Sequence, residues 1–111
     1  MKWYLAKFVY RVVSGAGNHA PQFDEQLRLI RADEFDWAKE KATILGRLGE
    51  CQFVNHRQET VTWKFINVTD ICPINSMEDG DEIYSSTEEP KDVYDYLQLI
   101  DAKANRLLTA H

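Results

Sequence analysis

The chain is poor in cysteine, which excludes two kinds of small scaffold. Its 111 residues contain 2 cysteines, together with 3 prolines and 5 glycines. Cys51 and Cys72 do not form a Cys-x-x-Cys pair, and two cysteines can supply neither a zinc quartet nor a disulfide framework. We interpret both as small core residues. The alternative is one structural disulfide between them.

Long apolar runs and excess positive charge are also missing. No segment approaches the ~20 apolar residues of a membrane span. Lys7 and Arg11 interrupt the apolar start of the chain before a signal-peptide core is complete. The net charge of −5 gives no support to nucleic-acid binding. We therefore expect a cytoplasmic protein that binds neither membrane nor nucleic acid.

The composition is that of one folded domain over residues 1–111. The hydrophobic fraction is 44% and the charged fraction 28%, both ordinary for a folded soluble protein. The sequence contains no P-loop, no H-E-x-x-H and no G-x-S-x-G motif. Residues 15–20 fit the dinucleotide pattern G-x-G-x-x-[GA], but the βαβ units of that fold are lacking, so we interpret them as a turn. No cofactor is expected.

The first third of the chain has the alternation of two β-strands. Residues 3–13 alternate with period two, with one face apolar and the other half apolar, which favours a central strand or one whose outer face meets a partner. Gly, Asn and Pro cluster over residues 14–21 and predict a turn. A second strand is predicted over residues 25–32, with Leu27 and Leu29 facing inward.

A helix is predicted over residues 34–48. Asp33 can cap its N-terminus, and Gly46 and Gly49 are candidate stops. The residues that fall on its predicted inner face are Ala38, Ala42 and Leu45.

The second half of the chain predicts more strands and a last helix. Strands are expected at residues 51–54 and from Thr60, with a bulge near Asn67 where the alternation changes phase, and a short strand at residues 83–84. A C-terminal helix is predicted within residues 87–111. The fold is therefore predicted to be α+β, with an antiparallel sheet of four to five strands in the order ββα-βββ-α and helices packed on one face.

Two apolar surfaces point to self-association, the outer face of the first strand and the C-terminal helix. The C-terminal helix carries an apolar stripe at helical spacing, and it either packs back on the sheet or exchanges with another subunit in a homodimer. The residues expected to make such contacts are Trp3, Leu5, Val9, Leu97, Ile100 and Leu107.

Several short phrases together resemble a known family. They are Trp3-Tyr4-Leu5-Ala6-Lys7, Gly17-Asn18-His19, residues 22–30, Asn55-His56-Arg57 and Asp79-Gly80-Asp81-Glu82-Ile83-Tyr84. The chain resembles, over about residues 1–86, a small bacterial family known as a domain of unknown function. This resemblance implies a bacterial intracellular protein, and it implies no activity and no residue roles.

Two histidines lie in predicted turns. His19 and His56, with Glu59 or Asp24 nearby, could form a shared site for a metal or for acid–base chemistry. The predicted path of the chain places the two turns at opposite ends of the sheet, so we interpret both residues as polar turn residues. His111 is the last residue and is predicted to be frayed.

Charge is unevenly distributed along the chain. Residues 70–95 hold nine acidic residues against the single Lys91, a net charge of −8, and the remainder sums to +3. Such asymmetry can steer a partner or align two copies. An ordinary solvated acidic surface is the alternative.

Three functions fit these features. The leading hypothesis is a small non-enzymatic protein-interaction module that forms a homodimer. The second is a metal-dependent or His/carboxylate hydrolase that uses His19 or His56 with Glu59. The third is an immunity- or antitoxin-like protein whose acidic segment, residues 78–95, binds a basic partner.

Overall fold

Alternating and helical hydrophobic patterns produce six regular elements in the computed structural model, which describes residues 1–109. They are β1 (Lys2–Ser14), β2 (Gln22–Ala32), α1 (Phe35–Leu48), β3 (Cys51–Val54), β4 (Thr60–Ile74) and α2 (Val93–Arg106). The predicted α+β class with an antiparallel sheet is confirmed. Residues 83–84, expected as a short strand, belong to no strand. His111 lies outside the described residues.

The sheet is built around the N-terminal strand. The spatial order is β2-β1-β4-β3, and every neighbouring pair is antiparallel. The β1–β4 register shifts twice, between Lys7 and Phe8 and between Val9 and Tyr10. These shifts bracket Asn67 on β4, so the predicted bulge is confirmed.

One face of the sheet carries the core, and β1 contributes more of it than any other element. Tyr4, Ala6, Phe8 and Tyr10 are all buried beneath α1. Aromatic and β-branched side chains suit this position because they pack well on a pleated surface. The alternate residues of β1 lie on the opposite side of the sheet, which we call the open face.

The phase predicted for β2 is wrong. Leu27 and Leu29 are 49% and 55% exposed, whereas Ile30 is buried. Residues directly opposite each other in an antiparallel pair share a face. Leu29 pairs with Leu5, so the register places both leucines of β2 on the open face.

Helix α1 lies close to the sheet because its inner face is made of small residues. Ala38, Ala42 and Gly46 recur every four residues and are all buried. The hydroxyl of Tyr10 donates a 2.7 Å hydrogen bond to the carbonyl oxygen of Gly46. A Cβ added at Gly46 would overlap the ring of Phe65. Only glycine therefore allows this approach of the helix to the sheet.

The ends of α1 differ slightly from the prediction. The N-cap position is Glu34 rather than Asp33, and no side chain caps it. Gly46 lies inside the helix and is not its stop, because its missing side chain makes room for an aromatic ring. Gly49 occupies the C-cap position. Leu45, predicted to face inward, is exposed.

Helix α2 has no packing partner in the described part of the chain. It starts at Val93, within the predicted range 87–111, where the side chain of Asp92 accepts a hydrogen bond from the Asp95 backbone N–H. None of its residues is buried, and among residues 1–109 it contacts no other helix or strand. The expectation that both helices pack on one face of the sheet therefore holds for α1 alone. Neither described helix is long and apolar enough to cross a membrane.

The Gly46→Ala substitution tests the close approach of α1. The added methyl group overpacks the core at a cost of about 1–3 kcal/mol, which outweighs the gain of up to ~1 kcal/mol that alanine has over glycine in a helix. We expect a lower free energy of unfolding by urea denaturation. In a Phe65→Leu background, which removes the clashing ring, the same substitution should be neutral or stabilising. A stabilised single variant would contradict the packing described here.

The Tyr10→Phe substitution tests the buried hydrogen bond. Its loss should lower the free energy of unfolding by about 1 kcal/mol. Burial raises the pKa of Tyr10 above its ordinary value, so this group stabilises the fold fully below about pH 10 and loses its contribution as pH rises through the folded pKa. As pH rises from neutral to alkaline, the free energy of unfolding measured in urea should therefore fall less for Tyr10→Phe than for the wild type. Tyr94→Phe, at an exposed position on α2, should follow the wild-type curve.

Candidate functional site

The turns after β1 and β3 form a polar cleft at one end of the sheet. Both strands are antiparallel to β4 and therefore run in the same direction, so their turns lie together. The cleft between them has a volume of about 640 Å³. Its lining includes Asn18, His19, Gln22, His56, Arg57 and Glu59. The predicted path of the chain placed His19 and His56 at opposite ends of the sheet because it made β3 antiparallel to β1. This is wrong, since β3 runs in the same direction as β1 and both turns lie at one end.

The side chain of His19 stabilises the turn that contains it. The backbone N–H of Ser14 donates to His19 Nε2 at 3.0 Å, and Nδ1 lies 2.8 Å from the carbonyl oxygen of Ala20. This pair of contacts assigns the neutral imidazole with its proton on Nδ1. Both ring nitrogens are thereby occupied by backbone groups. The side chain consequently has no free lone pair to offer a metal or a substrate in this conformation.

Asn55 organises the second turn, a role that the sequence reasoning missed. Its Oδ1 accepts hydrogen bonds from the backbone N–H groups of Arg57, at 2.9 Å, and Glu59, at 3.0 Å. Gln58 has a left-handed backbone with a φ of 62°. Asparagine followed by polar residues between two strands is typical of such side-chain-stabilised turns, which is the signal that identifies it.

The two turns are joined to each other, so the cleft has fixed walls. The backbone N–H of Gly15 donates a 2.8 Å hydrogen bond to the carbonyl oxygen of Thr60. Gly15 has a φ of 57°, a left-handed conformation that glycine adopts without strain. The cleft is open and polar, and within residues 1–109 no group of three or more His, Cys, Asp and Glu side chains could hold a metal ion.

A second candidate surface is the open face of the sheet along β2. Phe23, Leu27 and Leu29 alternate with charged residues on this edge strand and are exposed. Trp3 belongs to the same face and is 37% exposed, with the guanidinium of Arg31 lying 5.5 Å from its ring centroid. Exposed apolar side chains grouped on one sheet face are typical of an interaction surface.

The chain that leads to α2 covers part of the open face. The ammonium of Lys7 lies 5.8 Å from the ring centroid of Tyr84 and 2.7 Å from a carboxylate oxygen of Glu25. The hydrogen bond to Glu25, with a smaller contribution from Tyr84, raises the pKa of Lys7. The segment containing residues 82–85 also lies beside Cys72 on β4. It leaves the β2 side of this face exposed.

The residues predicted to make intermolecular contacts divide into two groups. Leu5 is 5% exposed and Val9 is half-buried, so within one chain Leu5 has almost no surface to offer a partner. Leu97 and Ile100 on α2 are 55% and 41% exposed, and Leu107 just beyond the helix is exposed as well. The accessible apolar surface of the chain thus lies on α2 and on the open face. On the open face it includes Leu27 and Leu29, which the sequence assigned to the core.

The Asn55→Ala substitution tests the turn that builds the cleft. Two backbone N–H groups lose their acceptor, and we expect the free energy of unfolding to fall by about 1–2 kcal/mol in urea denaturation. Asn55→Asp keeps an oxygen at the same position and should stay close to the wild type. Equal losses for the two variants would contradict a role for the side-chain acceptor.

The sequence of the chain matches a protein-family model. A family model described as a domain of unknown function, DUF4288, matches residues 3–85. That range contains α1, both turns of the cleft and nearly all of the sheet, whereas α2 lies beyond it. No curated protein and no solved structure matches the chain. Because the family match spans more than half of the chain and confirms the predicted resemblance, the protein belongs to the DUF4288 family.

Proposed function

We propose that this chain is a small non-enzymatic protein-interaction module that works as a homodimer. The observation that carries this proposal is the amount of surface that one chain exposes. Its solvent-accessible area is 8998 Å². A compact monomer of 12.9 kDa is expected to expose about 6,300 Å².

The excess is about 2,700 Å² for each chain, or about 5,400 Å² summed over two copies. Obligate homodimer interfaces remove about 2,000 to more than 5,000 Å² from solvent, summed over both partners, so the excess lies at the upper end of that range. The radius of gyration is 17.5 Å, against about 13 Å for a compact chain of this length. Both quantities support an extended chain that completes its packing against another molecule.

Helix α2 is the element that most needs a partner. An isolated helix shorter than about 12–15 residues is marginal in water, and α2 has 14 residues without a buried side chain. Leu97 and Ile100 are 55% and 41% exposed, so burying the rest of each side chain would contribute about 1 kcal/mol, roughly half of the value for full burial. A second copy of the chain supplies equivalent unpartnered apolar surface, which favours it as the occupant.

Charge supports pairing between two copies. The segment of residues 70–95 carries −8 and the rest of the chain +3, so each copy brings an acidic part and a mildly basic part. Complementary patches steer association and fix its orientation. The acidic residues 78–95 are accordingly proposed to face the basic part of the partner copy.

Two observations favour binding over catalysis. The ring nitrogens of His19 are engaged by its own turn, and Asn55 uses its side-chain oxygen to hold the second turn. A hydrolase needs a general base within hydrogen-bond reach of its nucleophile or water, and His19 is occupied otherwise. The other candidate, His56, is exposed and lines the same cleft with Glu59.

Light scattering coupled to size exclusion tests the homodimer. We expect the wild type to have twice the mass of one chain, and a Leu97→Glu/Ile100→Glu variant to have the mass of one chain, because it places two charges on the apolar side of α2. Ala102→Glu, which adds a charge to the opposite side of the same helix, is the matched control and should remain dimeric. A wild-type protein that stays monomeric at the highest accessible concentration would overturn the proposal.

A further inference from the structure

We infer that the partner copy's α2 is received by the open face of the sheet along β2, so that the two chains exchange their C-terminal helices. This inference rests on the proposed homodimer and names the surface that forms it. A second copy of this chain then covers the exposed side chains of β2. Each copy donates one helix and receives one.

The two apolar surfaces agree in length. On the receiving side, Phe23, Leu27 and Leu29 lie within seven residues of strand, and its six steps span about 20 Å at 3.3 Å per residue. On the donating side, the apolar stripe runs from Val93 in α2 to Leu107 just beyond it, or about 21 Å at 1.5 Å per residue. A helix lying along β2 can therefore cover all of its exposed apolar side chains at once.

The acidic start of α2 has a basic counterpart on the receiving surface. Arg11 lies opposite Phe23 at one end of the exposed stripe on β2, and Arg31 lies beside Leu29 and opposite Trp3 at the other. Helix α2 is capped by Asp92 and has Asp95 in its first turn, whereas its last turn holds Lys103 and Arg106. The first turn of the helix thus matches a basic end of the receiving surface, and the last turn carries the same sign of charge as the other end.

The chain already uses the open face as a docking surface. Tyr84 lies against Lys7, and the neighbouring residues 82–85 lie along β4 on the same side of the sheet as Cys72. An incoming helix on the β2 side would be continuous with this covered region. The two together would cover the β2 side of the open face and its contact region with residues 82–85, whereas α2 of the same chain makes no contact with its own sheet within the described residues.

A competing receiver is the outer side of α1. Trp37, Ile44 and Leu48 are exposed there at helical spacing. Lys41 interrupts this row, and its ammonium donates a 2.9 Å hydrogen bond to the backbone carbonyl oxygen of Arg31. The open face contains a charged contact as well, because Glu25, bonded to the ammonium of Lys7, lies between Phe23 and Leu27. The open face is favoured because another segment of the chain, around Tyr84, already docks on it.

Disulfide trapping between separate chains tests the inference. In a background of Cys51→Ser and Cys72→Ala, one chain carries Leu27→Cys and a second, affinity-tagged chain carries Leu97→Cys. The two are mixed under subunit-exchanging conditions and oxidised. We expect a cross-linked heterodimer on a non-reducing gel, with the 27–97 peptide pair confirmed by mass spectrometry, because a disulfide requires Cα atoms within about 7 Å. A chain with Trp37→Cys mixed with the Leu97→Cys chain is the control and should not cross-link.

The outcomes separate this inference from the homodimer itself. A dimer that traps the 37–97 pair, or neither pair, overturns the open face as the receiver and leaves the homodimer standing. A monomer in which Leu27→Cys and Leu97→Cys on the same chain form an internal disulfide overturns both.

A second measurement covers the case in which a cysteine variant alters packing. Leu27→Glu and Leu29→Glu should each raise the dimer dissociation constant by about tenfold or more, and Trp37→Glu should leave it nearly unchanged. Sedimentation equilibrium gives these constants. Equal effects of the three substitutions, or a larger effect at Trp37, overturn the inference.

Discussion

The close approach of α1 to the sheet is the contact on which the rest of the structure depends. The helix contributes only small side chains to the interface, and its inner positions are Ala38, Ala42 and Gly46. The volume between the layers is filled instead by aromatic side chains from the sheet, above all Phe8, Tyr10 and Phe65. Large residues on one layer and small residues on the other give dense packing without strain.

Because the core lies between α1 and one face of the sheet, the other face of the sheet has no helix of the described chain packed on it. A single helix of 14 residues covers one face of a four-stranded sheet, and the chain has no second described helix docked on the other face. The residues around Tyr84 cover part of that face, and Leu5 is buried there. The apolar side chains of β2 and α2 stay exposed, and the proposed homodimer rests on this surface.

The sequence predicted those features that depend on local periodicity. The alternation of β1, the helical span of α1 and the bulge near Asn67 all follow from spacing along the chain. The phase of β2 did not, because hydrophobicity alone assigns Leu27 and Leu29 to the core, whereas the pairing of Leu29 with Leu5 decides the face. The cleft was missed for a similar reason: which strand β3 joins, and hence where His56 lies, depends on long-range pairing that periodicity does not contain.

The position of β1 has a consequence for how the chain is made. β1 is synthesised before both of its sheet neighbours, and its β4 neighbour ends at Ile74, which pairs with Trp3. Native pairing on that side must therefore wait until β4 has been synthesised, and it joins residues far apart in sequence, which slows folding. Until then the aromatic face of β1 has only β2 and α1 beside it. The nascent chain is consequently exposed to aggregation for longer than a chain whose central strand is made last.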